Sequence, residues 1–168
     1  MTVSEAIAGM LARPETARRD AEHLMKVWAY ARLIGELEGL DERTLRTLEY
    51  AAVVHDIACP VLRRERGSAP GSLQEEYGPP MARAFYAQGG MDGAMLDRVC
   101  LLVGRHHTYT GVDGPDLQIL LEADFLVNAG ESEKHRKDVN AFRKNVFKTK
   151  TGLALLDRLF ETGDVPVP

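Results

Sequence analysis

Six side chains able to bind a metal stand at four places in the chain: His23, the pair His55-Asp56, the pair His106-His107, and Asp124. Each place falls on the apolar side of a segment with helical spacing. His23 shares a face with Val27 and Ile34. His55 lines up with Leu48 and Ala52, and His107 with Leu96, Cys100 and Val103. Asp124 follows Ile-Leu-Leu-Glu-Ala on a leucine-lined face, where Glu122 is expected to look outward. A buried carboxylate without a partner costs several kcal/mol, on the order of a lost hydrogen bond or more, and its pKa rises unless a cation holds it ionised. A shared divalent cation satisfies all of these groups at once. Mixed His/Asp ligation with open positions is the setting of metal-assisted hydrolysis.

Taken singly, each group has a plainer reading. His23 reads as a hydrogen-bonded core histidine, Asp56 as a cap for nearby backbone, and the pair His106-His107 as helix-end residues facing water. Adjacent residues on a helix diverge by about 100°, so His55 and Asp56 converge on one point only near a helix end. Together the four places favour the cation.

The elements that must position these groups read as helices. One spans about Thr16 to Glu38 and is ended by Gly39. Asp41 caps a second, which carries the run Ala-Ala-Val-Val-His-Asp and stops near Pro60. Arg63 to Pro80 is expected to be a mobile loop able to cover the site, followed by a helix from Pro79-Pro80 to Gln88. Further helices are expected over Asp92 to His107 and Asp116 to Gly130, the latter after an Asp113-Gly114-Pro115 turn. Ser132 to Phe160 reads as two helices broken near Thr151-Gly152. No strand period persists and no repeat is visible. The expected fold is therefore all-α, a single compact domain over residues 1–168 with about six to seven helices, a core over about 16–160 and a frayed tail over 162–168.

The 168 residues can bury a sizeable core, and 45% hydrophobic with 27% charged residues is the balance of a soluble globular chain. The net charge of -4 argues against a dedicated nucleic-acid coat. Cys59 and Cys100 are too few and too far apart for a disulfide framework or a cysteine zinc site. The N-terminus shows no basic region followed by an apolar run, and no stretch reaches the roughly 18 apolar residues of a membrane span. A reducing cytoplasm is the expected compartment. The final-helix residues Leu156, Leu159 and Phe160 leave open whether the chain packs alone or as a homo-oligomer.

The order His23, His55-Asp56, Asp124 on separate helices resembles the HD-domain superfamily of metal-dependent phosphohydrolases. So do the segments LEYAAVVHDIA, LLVGRHHTYT and ILLEADFLVN in full, and the resemblance runs from Arg19 to about Leu159. It implies a metal held by His23, His55, Asp56 and Asp124, with His106 and His107 available to a second, weaker ion bridged through Asp56. The family's further histidine before the middle helix is absent; Tyr77 takes its approximate place, with Glu75 and Glu76 nearby. The implied activity is cleavage of a phosphate ester or anhydride of a nucleotide or other small phosphorylated metabolite by metal-activated water. Asp56 would orient that water, and His107 would assist the leaving group or bind phosphate. Manganese, iron, cobalt, nickel, zinc or magnesium suits such a site better than calcium. Arg19, one turn before His23, and Lys26, Arg105, Lys148 and Lys150 are candidates for binding the substrate phosphate, and the lysines read more readily as solvated surface charges. A regulatory module that binds metal or nucleotide without turnover is the alternative, and di-iron oxygen chemistry a more distant one.

Overall fold

α7 (Pro115–Glu131) is the axis of the structure. Its side chains are buried on every face, from Leu117 through Leu121 to Phe125 and Ala129. α2 (Arg18–Leu37) and α3 (Glu42–Val54) pack against each other and both against α7. α6 (Gly93–Val103) closes the other side of α3 and carries α5 (Gly71–Tyr86). The computed structural model describes residues 1–162, and its described residues form ten helices and no strand. The all-α architecture is as expected. The helix number exceeds the expected six to seven because one helix precedes the expected set, another lies within the expected loop, and the last third holds three helices in place of two. The expected frayed tail lies outside the described residues apart from Thr162. Among the described residues no helix is long and apolar enough to cross a membrane.

The extra N-terminal helix, α1 (Val3–Leu11), starts at Thr2, whose hydroxyl accepts from the Glu5 backbone while the Glu5 carboxylate accepts from the Thr2 backbone. It lays Ala6 and Met10 on α3, so the core begins well before residue 16. α2, α3 and α7 fall close to their expected limits, and Asp41 caps α3 by accepting from Arg43 and Thr44. Pro60 does not follow the end of α3 as a stop. It sits in the first turn of α4 (Cys59–Arg66), where its missing N–H is not needed.

The stretch expected to be a mobile loop is thus mostly helical. α5 begins at Gly71 and runs through Pro79 and Pro80, which were expected to start it. Its buried stripe is Gln74, Gly78, Ala82 and Tyr86, and the first three are polar or small where a helix normally shows aliphatic residues. Gly78 is small for a reason: a Cβ there would stand 2.7 Å from Val103 Cγ1 on α6. That close approach seats α5 directly on α6.

The last third divides into α8 (Glu133–Lys137), α9 (Val139–Asn145) and α10 (Lys150–Phe160). The break falls before Thr149, which caps α10 by accepting from Gly152, and not at Thr151-Gly152. Leu156 is core and Leu159 is exposed. Glu122 does not look outward; it is 0% exposed. One of its oxygens accepts from Lys148 N at 2.6 Å, Thr149 N at 3.0 Å and Gln118 Nε2 at 2.7 Å, and the Thr149 hydroxyl donates to the other. A Cβ at Gly152 would collide with this carboxylate at 2.0 Å. Glu122→Ala would strand buried backbone donors at the start of α10. We expect it to lower unfolding free energy by about 3 kcal/mol in urea titrations; a change below about 1 kcal/mol would contradict the anchoring role.

Candidate metal centre

Four helices and the turns that follow them bring the candidate ligands into two adjoining groups joined at Asp56. His23 projects from the inward face of α2, and Asp124 from the middle of α7. α3 ends at Val54, so His55 and Asp56 follow in a turn where adjacent side chains can converge. His106 and His107 lie in the turn after α6, which ends at Val103 rather than continuing through them. His23 Nε2 stands 3.2 Å from His55 Nε2 and 3.2 Å from Asp124 Oδ1. His55 Nε2 is 3.5 Å from the same Asp124 oxygen, and Asp56 Oδ2 is 3.7 Å from His23 Nε2. On the other side of Asp56, Oδ1 is 3.5 Å from His106 Nε2. Atoms coordinated at about 2.1 Å from one ion lie roughly 3 to 4 Å from each other, the spacing observed here.

Hydrogen bonds at the far side of each ring decide which nitrogen carries a proton. His55 Nδ1 donates to the Ala52 carbonyl at 2.8 Å, and His106 Nδ1 to the Val103 carbonyl at 2.7 Å. His23 Nδ1 faces the Glu131 carboxylate at 3.1 Å. A carbonyl or carboxylate oxygen only accepts, so Nδ1 holds the proton and each neutral ring turns an Nε2 lone pair inward. Lone pairs then face lone pairs and carboxylates at 3.2 to 3.8 Å, an arrangement that only a proton or a metal cation relieves. The donor set fits a divalent ion, with second partners already orienting each imidazole.

Without a metal the proton is the remedy. Burial pushes His23 down, but Asp124, Asp56 and Glu131 outweigh it and raise its pKa to about 9. Burial likewise opposes ionisation of Asp124 and Asp56. His23 and His55 beside Asp124, and His55, His106 and His23 beside Asp56, nevertheless hold both carboxyls below their ordinary value. The His23 imidazolium therefore stabilises the metal-free fold fully below about 6.5, its ordinary value, and that contribution fades as pH rises through about 9. A metal must displace this proton, so apparent metal affinity is expected to rise between those limits by about tenfold per pH unit for one released proton. Competition with a chromophoric chelator at two pH values checks this, and a pH-independent affinity would contradict it.

Glu131 was not foreseen, because the expected helix stopped at Gly130. It accepts from Lys26 Nζ at 2.9 Å as well as from His23, so Lys26 holds an orienting carboxylate at the rim. Glu131→Ala is expected to weaken metal binding by about 10- to 100-fold in chelator competition, with Glu131→Gln in between. Unchanged affinity would show that His23 needs no orienting partner.

Gln74 was also missed. Its amide N–H donates to the Ala69 carbonyl at 2.6 Å, which turns Oε1 toward His106 Nε2 at 3.2 Å and His107 Nε2 at 3.0 Å. Gln74, not Tyr77, thus takes the place beside the histidine pair. Tyr77 receives a hydrogen bond from Arg66, and Glu75 accepts from the His107 backbone and the Thr108 hydroxyl, bracing the turn. Glu76 is exposed. Burial, with His106 beside it, lowers the His107 pKa to about 4, leaving a ring that is neutral at pH 7.

The centre opens into a cavity of about 400 Å³. Arg19 and Arg63 stand on its wall, with Gly67, Ser68 and Ala69 from the α4–α5 connection; part of the expected covering loop does border the site. Four of the five expected phosphate binders do not; Lys26 is paired with Glu131 outside the lining. Arg105 turns Nη2 to the carbonyls of Thr110 and Gly111, and Lys148 is exposed beside the Glu122 anchor. Lys150, at the start of α10, does not line the cavity either. Tyr109 packs edge-on against Phe142. A second cavity of about 400 Å³, between Arg136, Val139 and Phe160, touches none of the ligating residues.

No family model, curated protein or solved structure matches this chain.

Proposed function

We propose that the chain is a metal-dependent phosphohydrolase of the HD-domain type, acting on a small phosphorylated substrate. One observation carries the reading: oriented imidazole lone pairs and ionised carboxylates converge at the base of a polar cavity walled by guanidinium groups. His23, His55, Asp56 and Asp124 would hold one divalent ion. Asp56, His106, His107 and the Gln74 oxygen would hold a weaker second one. When bound, such an ion supplies an activated water and neutralises charge on the phosphoryl group.

The chain's own residues divide the remaining work. Asp124 is buried and serves only as a ligand, whereas the Asp56 side chain is 35% exposed and faces the cavity. Asp56 is therefore the group that orients the attacking water and takes its proton. Arg19 forms no ion pair among the described residues and is free to receive a phosphate oxygen. His107 does not line the cavity and would act as a ligand of the second ion rather than on the substrate. The two buried free thiols, Cys59 and Cys100, fit a reducing cytoplasm.

Release of phosphate from a generic aryl phosphate tests the proposal. Turnover is expected with manganese and is expected to vanish with a chelator. Stoichiometric metal binding without turnover of any phosphate ester would overturn it in favour of a regulatory module.

A further inference from the structure

The cavity over the metal centre also constrains what the phosphate is attached to, given the phosphohydrolase reading on which this step rests. Its 400 Å³ lies at the small end of ligand pockets, which run from roughly 300 to 1,000 Å³. Binding of a nucleobase normally rests on a flat aromatic or apolar platform. No aromatic ring lines this cavity except the imidazole of His23, which is committed to the ligand set. Apolar lining is confined to Ala17, Ala69 and the Cys59 side chain. The neighbouring apolar recess, between Met10, Leu24 and Pro60, has room for about 20 Å³, the space of roughly one water molecule.

What the wall offers instead is a close mixture of donors and acceptors. Asp20 and Glu131 accept, Arg63 and Ser68 donate, and Asn128 does both. Hydroxyl groups, which donate and accept at once, match such a wall; flat heteroaromatic rings do not. The charges limit the number of phosphates as well. Arg63 is paired with Asp20 at 2.6 Å, and Lys26 with Glu131 at 2.9 Å. Arg19 is the cavity guanidinium without a carboxylate partner among the described residues. A second or third phosphate would face the carboxylates of Asp20 and Glu131.

We infer that the substrate is a phosphomonoester of a small polyhydroxylated molecule, of the sugar- or polyol-phosphate class, rather than a nucleotide. Hydrolysis breaks the bond between phosphorus and the ester oxygen; water supplies the oxygen to phosphate and a proton to the released alcohol. Asp20, on the first turn of α2 in the cavity wall, is the residue assigned to the substrate hydroxyls.

The test compares kcat/KM for ribose phosphate, glycerol phosphate, adenosine monophosphate and an aryl phosphate on the metal-loaded full chain. Ribose or glycerol phosphate is expected to exceed adenosine monophosphate by at least about tenfold. Asp20→Ala is expected to reduce turnover of the preferred polyol phosphate by about tenfold more than that of the aryl phosphate, the scale of one hydrogen bond to a charged group. Calorimetric titration with the hydrolysis-resistant phosphonates of ribose and adenosine should give the same ranking without turnover. Preference for adenosine monophosphate in either experiment, with the aryl phosphate still cleaved, overturns the inference and leaves the phosphohydrolase reading intact. Failure to cleave the aryl phosphate with metal bound overturns both.

Discussion

Asp124→Ala is expected to strip the protein of metal and lower its melting temperature in a single step. The carboxylate is 3% exposed, stands 3.2 Å from His23 Nε2 and 3.5 Å from His55 Nε2, and is fixed by the Asn128 amide at 2.8 Å. Removal takes away the deepest negative charge and leaves two imidazole nitrogens opposed at 3.2 Å. Substituting residues that merely support a ligand weakens metal binding by about 10- to 100-fold; losing the ligand itself should exceed about 100-fold. A metal present at 100 times its dissociation constant contributes about 2.7 kcal/mol of stability. Its loss from a chain of this size lowers Tm by about 5 to 11 °C. Wild-type protein treated with chelator should lose about the same increment. The variant should lose more, because Asn128 and both histidines are then left without their partner even when no metal is present. Elemental analysis beside calorimetry reads both effects. Full metal occupancy in the variant would remove Asp124 from the ligand set.

Asp56→Ala is expected to separate turnover from metal content. The His55 and His23 nitrogens and Asp124 remain as three ligands on the buried side, so the tighter ion should persist at reduced affinity. The group that faces the cavity is gone. A positioned general base contributes about 10² to 10⁴ in rate, and kcat on an aryl phosphate should fall about a thousandfold while part of the metal stays. Asp56→Asn keeps the shape but cannot take a proton, and should be nearly as slow. A variant retaining more than about a tenth of wild-type activity would assign the base to another residue.

The contrast between α7 and α5 shows where sequence reasoning reached the site and where it stopped. Asp124 was legible because a carboxylate among leucines violates the burial pattern of its own helix. Glu122 was misread on the same helix: helical periodicity implies a polar outer face, but α7 is enclosed on all sides and has none. Its buried partners, the backbone of Lys148 and Thr149, lie in a segment that reads only as lysine-rich and exposed. α5 failed in the opposite sense. Its inward stripe of Gln74, Gly78 and Ala82 is polar and small because it borders the histidine pair and presses on α6, so no apolar period announces it. Without a helix there, Gln74 could not be placed beside His106 and His107. α1 was overlooked even though Thr2 and Glu5 carry a capping-box spacing that sequence alone displays. Arg105 reads as a phosphate binder by its position next to the histidines, and only the path of the loop shows that its Nη2 turns to Thr110 and Gly111 instead.

All of these readings depend on whether separate helices share one ion, and anomalous X-ray scattering from crystals grown with manganese measures that directly. The account predicts a strong anomalous peak about 2.0 to 2.3 Å from His23 Nε2, His55 Nε2 and an Asp124 oxygen, with Asp56 completing the set. Crystals without a peak there at saturating manganese, or with the metal bound elsewhere on the chain, would contradict it.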